Sequence, residues 1–222
     1  MSFKEKLKAV GRLFLLFFII NSILAILVTL IDHLVVVNYL NLPSLQQSSP
    51  LDRIKLFTGG HLFYTFLIVV LFAPFIEEVI FRLWLSLKPL HISIAVVTLA
   101  LYLLFVTEIY IIFNLRWLFI LSIAIMVAII LYKVLDQFPL SDMVVKYIPK
   151  KILGIISAVL FGLLHMVNFI PLNNDIWFFY PLYVLPQTVL GFFIVTIRFK
   201  YGFGYAVLFH SFTNLVALII AR

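Results

Sequence analysis

Residues 71–84 read LFAPFIEEVIFRLW, and this stretch decides how the chain must fold. Two adjacent glutamates, Glu77 and Glu78, and one arginine, Arg82, interrupt a mostly apolar run from Leu62 to Leu85. An apolar run of this length is typical of a helix that crosses a membrane. A charge at bilayer depth costs roughly 2.5–3.5 kcal/mol, so charged residues inside spans normally face a cavity and have a function. The three charges therefore indicate a functional site within a membrane helix.

The composition agrees with a membrane protein. The chain has 222 residues, of which 65% are hydrophobic and 11% are charged. A soluble domain needs more polar surface than this, so we predict one transmembrane domain over residues 1–222. The absence of cysteine excludes disulfides and thiolate metal sites. The net charge of +7 requires no nucleic-acid partner, because an excess of basic residues in a membrane protein usually reports its orientation.

Apolar runs predict an all-α polytopic protein with about seven transmembrane helices. Pro74 is expected to kink the second span. The distribution of lysine and arginine favours a cytoplasmic N-terminus. The polar stretches 41–53 and 136–146 are predicted loops, and the predicted spans are 9–31, 57–87, 91–113, 117–134, 150–170, 177–198 and 204–221.

Helical spacing separates the acidic residues of the spans into different roles. Glu78 and Arg82 are four residues apart, with the glutamate first, so we predict that they form an ion pair. Glu77 points about 100° away from Glu78, and the sequence places no basic residue one turn from it. Glu77 is therefore the candidate for proton exchange. Glu108 is close enough to a span end to be an ordinary interfacial carboxylate, and the aspartates are assigned to termini and loops.

Two later segments carry matching polar faces. FGLLHMVNF (161–169) places Phe161, His165 and Asn168 at i, i+4 and i+7, and HSFTN (210–214) places His210 and Asn214 at i and i+4. A single histidine or asparagine in a span more often makes an interhelical hydrogen bond than it catalyses a reaction. The presence of several such groups on three helices favours a shared, water-holding pocket.

These residue types suit hydrolysis. Glutamate and histidine can activate water, and a histidine with an asparagine amide can donate hydrogen bonds to an oxyanion. The sequence contains no H-E-x-x-H zinc motif and no G-x-S nucleophile. With no aspartate assigned to a span, an aspartyl dyad is also excluded. Peptide-bond hydrolysis within the membrane is the predicted reaction.

Three motifs in this order carry a resemblance to a known family. EEVIFR (77–82) matches E-E-x-x-x-R, FGLLH (161–165) matches F-x-x-x-H, and HSFTN (210–214) matches H-x-x-x-N. The chain resembles the CAAX protease and bacteriocin-processing family of intramembrane endopeptidases, also called the Abi family, which includes the type II CAAX prenyl endopeptidase. The resemblance covers about residues 60–215.

The resemblance implies that the transmembrane helices surround an intramembrane catalytic cavity, and it implies a role for each motif residue. Glu77 and His165 would position the attacking water, and His210 and Asn214 would form the oxyanion site. The supporting residues would be Glu78, Arg82, Phe161 and Asn168. The resemblance leaves metal dependence open, and we favour a metal-free reaction; the alternative is a zinc ion held by Glu77, His165 and His210. The expected location is the bacterial cytoplasmic membrane.

Two other functions compete with proteolysis. One is a non-catalytic membrane immunity or interaction protein that retains the protease fold. The other is a small proton-coupled transporter, which the absence of an inverted repeat makes less favoured. The expected partners are the lipid bilayer and a membrane-associated peptide or protein substrate, whose identity and prenylation the sequence leaves open.

Overall fold

The structure is a computed structural model, and it describes residues 2–45, 50–107, 115–169 and 174–220. Every regular element in those ranges is helical. The α-helices are α1 (Phe3–Ile31), α2 (Pro50–Phe57), α3 (Leu62–Phe66), α4 (Ala73–Glu78), α5 (Pro89–Thr107), α6 (Leu115–Leu135), α7 (Leu140–Tyr147), α8 (Lys150–Leu164), α9 (Tyr180–Tyr183), α10 (Leu185–Tyr201) and α11 (Phe203–Ile220). Wider π-helical turns form Asp32–Tyr39, Leu67–Phe72 and Val79–Leu83, and tighter 3₁₀ turns form Trp84–Ser86, His165–Phe169 and Asn174–Phe179.

Five helices in the described part of the chain are long and apolar enough to cross a membrane: Phe3–Tyr39, Leu118–Leu135, Lys150–Phe169, Ile176–Tyr201 and Phe203–Ile220. Backbone polar groups have no water to bind in lipid, so a helix is the form that an apolar run must take there. The helical membrane-protein class is therefore confirmed. The count of seven stays a prediction, and Glu108 with the end of the third predicted span lies outside the described residues.

The two polar stretches predicted as loops both contain helix. Helix α2 begins at Pro50, within the first stretch, and α7 begins at Leu140, within the second. Proline is favoured at the start of a helix, because its missing N–H would have no intrahelical partner there and its φ already suits the helix. The prediction that 41–53 and 136–146 are loops is therefore wrong from Pro50 onward in the first stretch and from Leu140 onward in the second.

The chain divides into two compact units. Unit 1 comprises Met1–Pro74 and Ile155–Arg222, and unit 2 comprises Phe75–Gly154. That residues 1–222 form a single transmembrane domain stays a prediction. Each unit has its own packing.

Unit 1 packs α1, α10 and α11 through aromatic side chains. Phe17 lies 5.5 Å from Phe193 and 5.7 Å from Phe209, measured between ring centroids, and Phe14 lies 4.6 Å from Phe212. Aromatic pairs at such distances contribute beyond the apolar area that they bury. This cluster fixes α11, which carries His210 and Asn214, against two other long helices.

Glycine brings α8 and α10 close together within unit 1. A Cβ added to Gly191 would lie 2.9 Å from the backbone oxygen of Ala158, and one added to Gly162 would lie 1.9 Å from Thr188 Oγ1. Small residues at a helix interface allow such close approach in membranes, where association depends on packing. The contact holds the part of α8 that leads to His165.

Unit 2 is built on α5 and α6. Helix α5 packs against α6 and against the π-helical turn Val79–Leu83. An apolar cavity of about 320 Å³ lies between α5 and α6, lined by residues such as Val97, Leu101 and Ile123.

Candidate functional site

The predicted ion pair between Glu78 and Arg82 is present in unit 2. Arg82 Nε lies 3.5 Å from Glu78 Oε2, and both side chains are 0% exposed. The Arg82 guanidinium also lies 5.6 Å from the centroid of the Phe81 ring. Each charge reduces the burial cost of the other, because an isolated buried ion is far less favourable than a pair.

Glu77 has a different environment from its neighbour. It is partly exposed, whereas Glu78 is fully buried. The difference follows from the helical rotation between consecutive residues. The side chain of Glu77 is therefore partly exposed as a whole, although its Oε2 atom is buried.

In unit 1, one aromatic ring contacts both predicted site histidines. The fully buried ring of Phe161 lies 4.7 Å from the His165 ring and 5.5 Å from the His210 ring, between centroids. His165 begins the 3₁₀ turn that follows α8, and His210 is 2% exposed on α11. The structure therefore brings Phe161, His165 and His210 together.

A backbone contact fixes the chemistry of His165. Its Nδ1 lies 2.8 Å from the carbonyl oxygen of Phe161. A carbonyl can only accept, so Nδ1 must carry the hydrogen and donate it. In a neutral imidazole the lone pair is then on Nε2, which is the atom that could accept a proton or bind a metal.

Asn168 follows His165 by three residues in the same 3₁₀ turn and is partly buried. A 3₁₀ helix has three residues per turn, so side chains at i and i+3 share one face. Asn168 therefore lies on the His165 face of this turn.

Asn214 makes a hydrogen bond that the sequence analysis missed. Its side-chain Nδ2 donates to the backbone oxygen of Val69 at 2.9 Å. Val69 belongs to the π-helical turn Leu67–Phe72, where the Ala73 N–H donates to Ile68 O, one residue further back than in an α-helix. The residue after Ala73 is Pro74, which has no N–H to donate.

Val69 O thus lacks both of its usual helical donors, at i+4 and i+5, and the Asn214 amide takes their place. A carbonyl left unsatisfied in lipid is costly, which explains why an amide is needed at this position of α11. One of the two N–H groups of the amide is used in this way. A proline in one predicted span and an asparagine in another were the sequence signals for this contact.

Asp32 is the residue whose predicted position is wrong. The sequence predicts a terminus or loop at Asp32, but the residue lies in the π-helical continuation of α1 and is 4% exposed. Its carboxylate accepts hydrogen bonds from Ser44 Oγ at 2.5 Å, from the Leu45 N–H at 3.1 Å and from Tyr183 Oη at 2.5 Å. The statement that no span contains aspartate fails, because the span-length helix Phe3–Tyr39 includes it.

Three donors to one carboxylate explain how Asp32 is tolerated in a largely apolar helix. Tyr183 and Leu45 also pack with Val28 and Val36 in one buried cluster. The aspartate fastens the segment after α1 to α9. An aspartyl dyad would need a second carboxylate, and Asp32 instead has hydroxyl and amide donors around it.

The zinc alternative depends on which nitrogen of His165 could bind a metal. The Nδ1–H of His165 donates to a carbonyl, which leaves Nε2 as the nitrogen that could act as a ligand, as in many metal-binding histidines. Among the described residues, however, no three histidine or acidic side chains are grouped as a metal site. The zinc ligands Glu77, His165 and His210 stay a prediction.

Comparison with known proteins identified no relative. No family model matches the chain, and neither a curated protein nor a solved structure matches it. The resemblance to the CAAX protease and bacteriocin-processing family thus depends on the three motifs alone.

Proposed function

We propose that this protein is an intramembrane endopeptidase. The observation that carries the proposal is the contact of both His165 and His210 with the Phe161 ring, together with the Nδ1 hydrogen bond that sets the His165 tautomer. A neutral histidine with its lone pair on Nε2 can act as a general base through that atom. The order of the three motifs supports the same function.

The proposed reaction uses water as the nucleophile. Glu77 and His165 take a proton from water as its oxygen attacks the scissile carbonyl carbon. His210 and the second N–H of Asn214 stabilise the oxyanion of the tetrahedral intermediate. The carbon–nitrogen bond then breaks, and the proton passes to the leaving amine. These roles come from the motif resemblance, and Glu77 belongs to unit 2 whereas the other three residues belong to unit 1.

A comparison of membranes tests this proposal. We expect new peptide termini, detected by mass spectrometry, in membranes that contain the wild-type protein and none in those that contain Glu77→Gln at equal abundance. His165→Gln should lose the same products. Wild-type product levels from either variant would exclude the proposed catalytic role.

The second candidate is a non-catalytic membrane immunity or interaction protein. The Asn214–Val69 hydrogen bond favours it, because this contact gives the HSFTN motif a use without catalysis. An immunity phenotype that survives Glu77→Gln and His165→Gln would support this function over proteolysis.

A further inference from the structure

Three span ends meet at one end of unit 1. Helix α1 begins at Phe3, whose ring lies 6.3 Å from that of Tyr205 near the start of α11. Tyr201, the last residue of α10, lies 6.2 Å from the same ring, and Lys6 Nζ lies 5.9 Å from its centroid. All three helices belong to span-length apolar segments, so we expect this end to lie where the hydrocarbon gives way to lipid headgroups.

This end of unit 1 collects basic residues that are far apart in the sequence. We call it the basic end, and it consists of Lys4, Lys6, Lys8, Arg12, Arg198 and Lys200. Glu5 is the acidic residue among them, and its carboxylate accepts the Ser2 N–H at 2.7 Å in a capping box. The charge of this surface is therefore strongly positive.

Most of the cations of the basic end are exposed. Lys4, Lys8 and Arg12 are exposed and follow one another at a spacing of four residues, which forms a stripe along α1. Lys200 is also exposed, and the Arg198 guanidinium lies 5.8 Å from the Phe203 ring. Aromatic residues at this depth are typical of the interface between hydrocarbon and water.

We propose that the basic end binds the phosphate group of anionic membrane lipids. Juxtamembrane lysine and arginine are attracted to anionic headgroups, and arginine can bind a phosphate through two parallel N–H donors. Zwitterionic lipids carry the same phosphate with a neutralising cation, so they gain much less. The proposal is independent of the proposed endopeptidase function.

Native mass spectrometry tests the proposal. The full chain would be released from micelles that contain equal amounts of phosphatidylglycerol and phosphatidylcholine, and the bound lipids counted. We expect phosphatidylglycerol adducts to dominate for the wild type. A cation near an anionic surface contributes about fivefold in affinity, so Lys4→Gln, Lys8→Gln and Lys200→Gln together should reduce the preference at least about tenfold.

The matched control removes the same charge from unit 2, where Lys133, Lys146 and Lys150 are also exposed. Replacing those three lysines by glutamine should leave most of the preference intact. An equal loss in both triple variants, or no preference in the wild type, would overturn the proposal. Displacement of phosphatidylglycerol by inorganic phosphate would also overturn it, since the site would then bind soluble phosphate.

Discussion

Replacing Asn214 by leucine tests how the HSFTN motif is used. Leucine has the same number and branching of side-chain heavy atoms as asparagine but cannot donate a hydrogen bond, so Val69 O would lose its donor. A buried acceptor without a partner costs about 1–3 kcal/mol, and interhelical hydrogen bonds in membrane proteins average about 0.6 kcal/mol. Because the two usual helical donors to Val69 O are diverted or absent, we expect Asn214→Leu to lower the free energy of unfolding by about 1–2 kcal/mol.

The cause can be isolated in a Pro74→Ala background. Alanine restores an N–H at position 74, and the backbone can then supply Val69 O with a donor in either α- or π-helical geometry. Asn214→Leu should therefore cost much less in Pro74→Ala than in the wild type. We expect a coupling energy of about 1 kcal/mol, which is measurable in a double-mutant cycle.

The assay is reversible unfolding of the purified full chain in mixed micelles, followed for the wild type, both single variants and the double variant. Asn21→Leu is the matched control, because Asn21 lies in an apolar span and its amide oxygen is buried without a hydrogen-bond partner among the described residues. Its effect should be the same in the Pro74→Ala background as in the wild type. If Asn214→Leu costs the same in both backgrounds, the compensation argument is refuted.

Turnover measured on the same variants separates this role from an oxyanion role. Loss of one oxyanion donor typically reduces turnover by ~10²–10³. If Asn214 has both roles, the double variant should recover stability but remain slow. Full recovery of stability and of turnover per molecule would restrict Asn214 to the Val69 contact.

Further predictions concern the buried pair, the helix contact and the metal. Arg82→Leu should lower the free energy of unfolding by about 3–5 kcal/mol, because it leaves Glu78 buried without its partner. Adding Glu78→Leu should recover part of the lost stability. A double variant no more stable than Arg82→Leu would contradict the pairing. Gly191→Ala should lower the free energy of unfolding by about 1–3 kcal/mol, because the added Cβ would meet backbone atoms that cannot move aside. Gly11→Ala, which has open space around it, should be neutral or slightly stabilising. Equal effects of the two substitutions would refute the close contact. Elemental analysis of the purified protein should find no stoichiometric zinc, and one zinc per chain with activity restored by its return would reverse the metal-free preference.

The sequence predicted those features that depend on local composition and spacing. Apolar run length determined that the chain forms membrane-type helices, since a helix satisfies its backbone hydrogen bonds within a single continuous segment. The four-residue spacing predicted the Glu78–Arg82 pair, because i and i+4 lie on one helical face. Helix ends were less predictable: α1 continues as a π-helix past Ile31, and α2 and α7 formed within predicted loops.

Only the tertiary structure decided which distant groups serve one another. The sequence predicts a loop at Asp32, because a buried carboxylate needs donors and the sequence does not identify them. Its donors include Ser44, 12 positions away, and Tyr183, 151 positions away. In the sequence, Asn214 has no evident hydrogen-bond acceptor. Its acceptor is Val69 O, which lacks a backbone donor partly because Pro74, in another helical segment, has no N–H. Likewise, the basic residues of α1 and α10 form one surface because the tertiary structure places the ends of these two helices close together. Burial makes a polar group depend on whatever partner the fold supplies, and spacing along one helix cannot identify a partner on another.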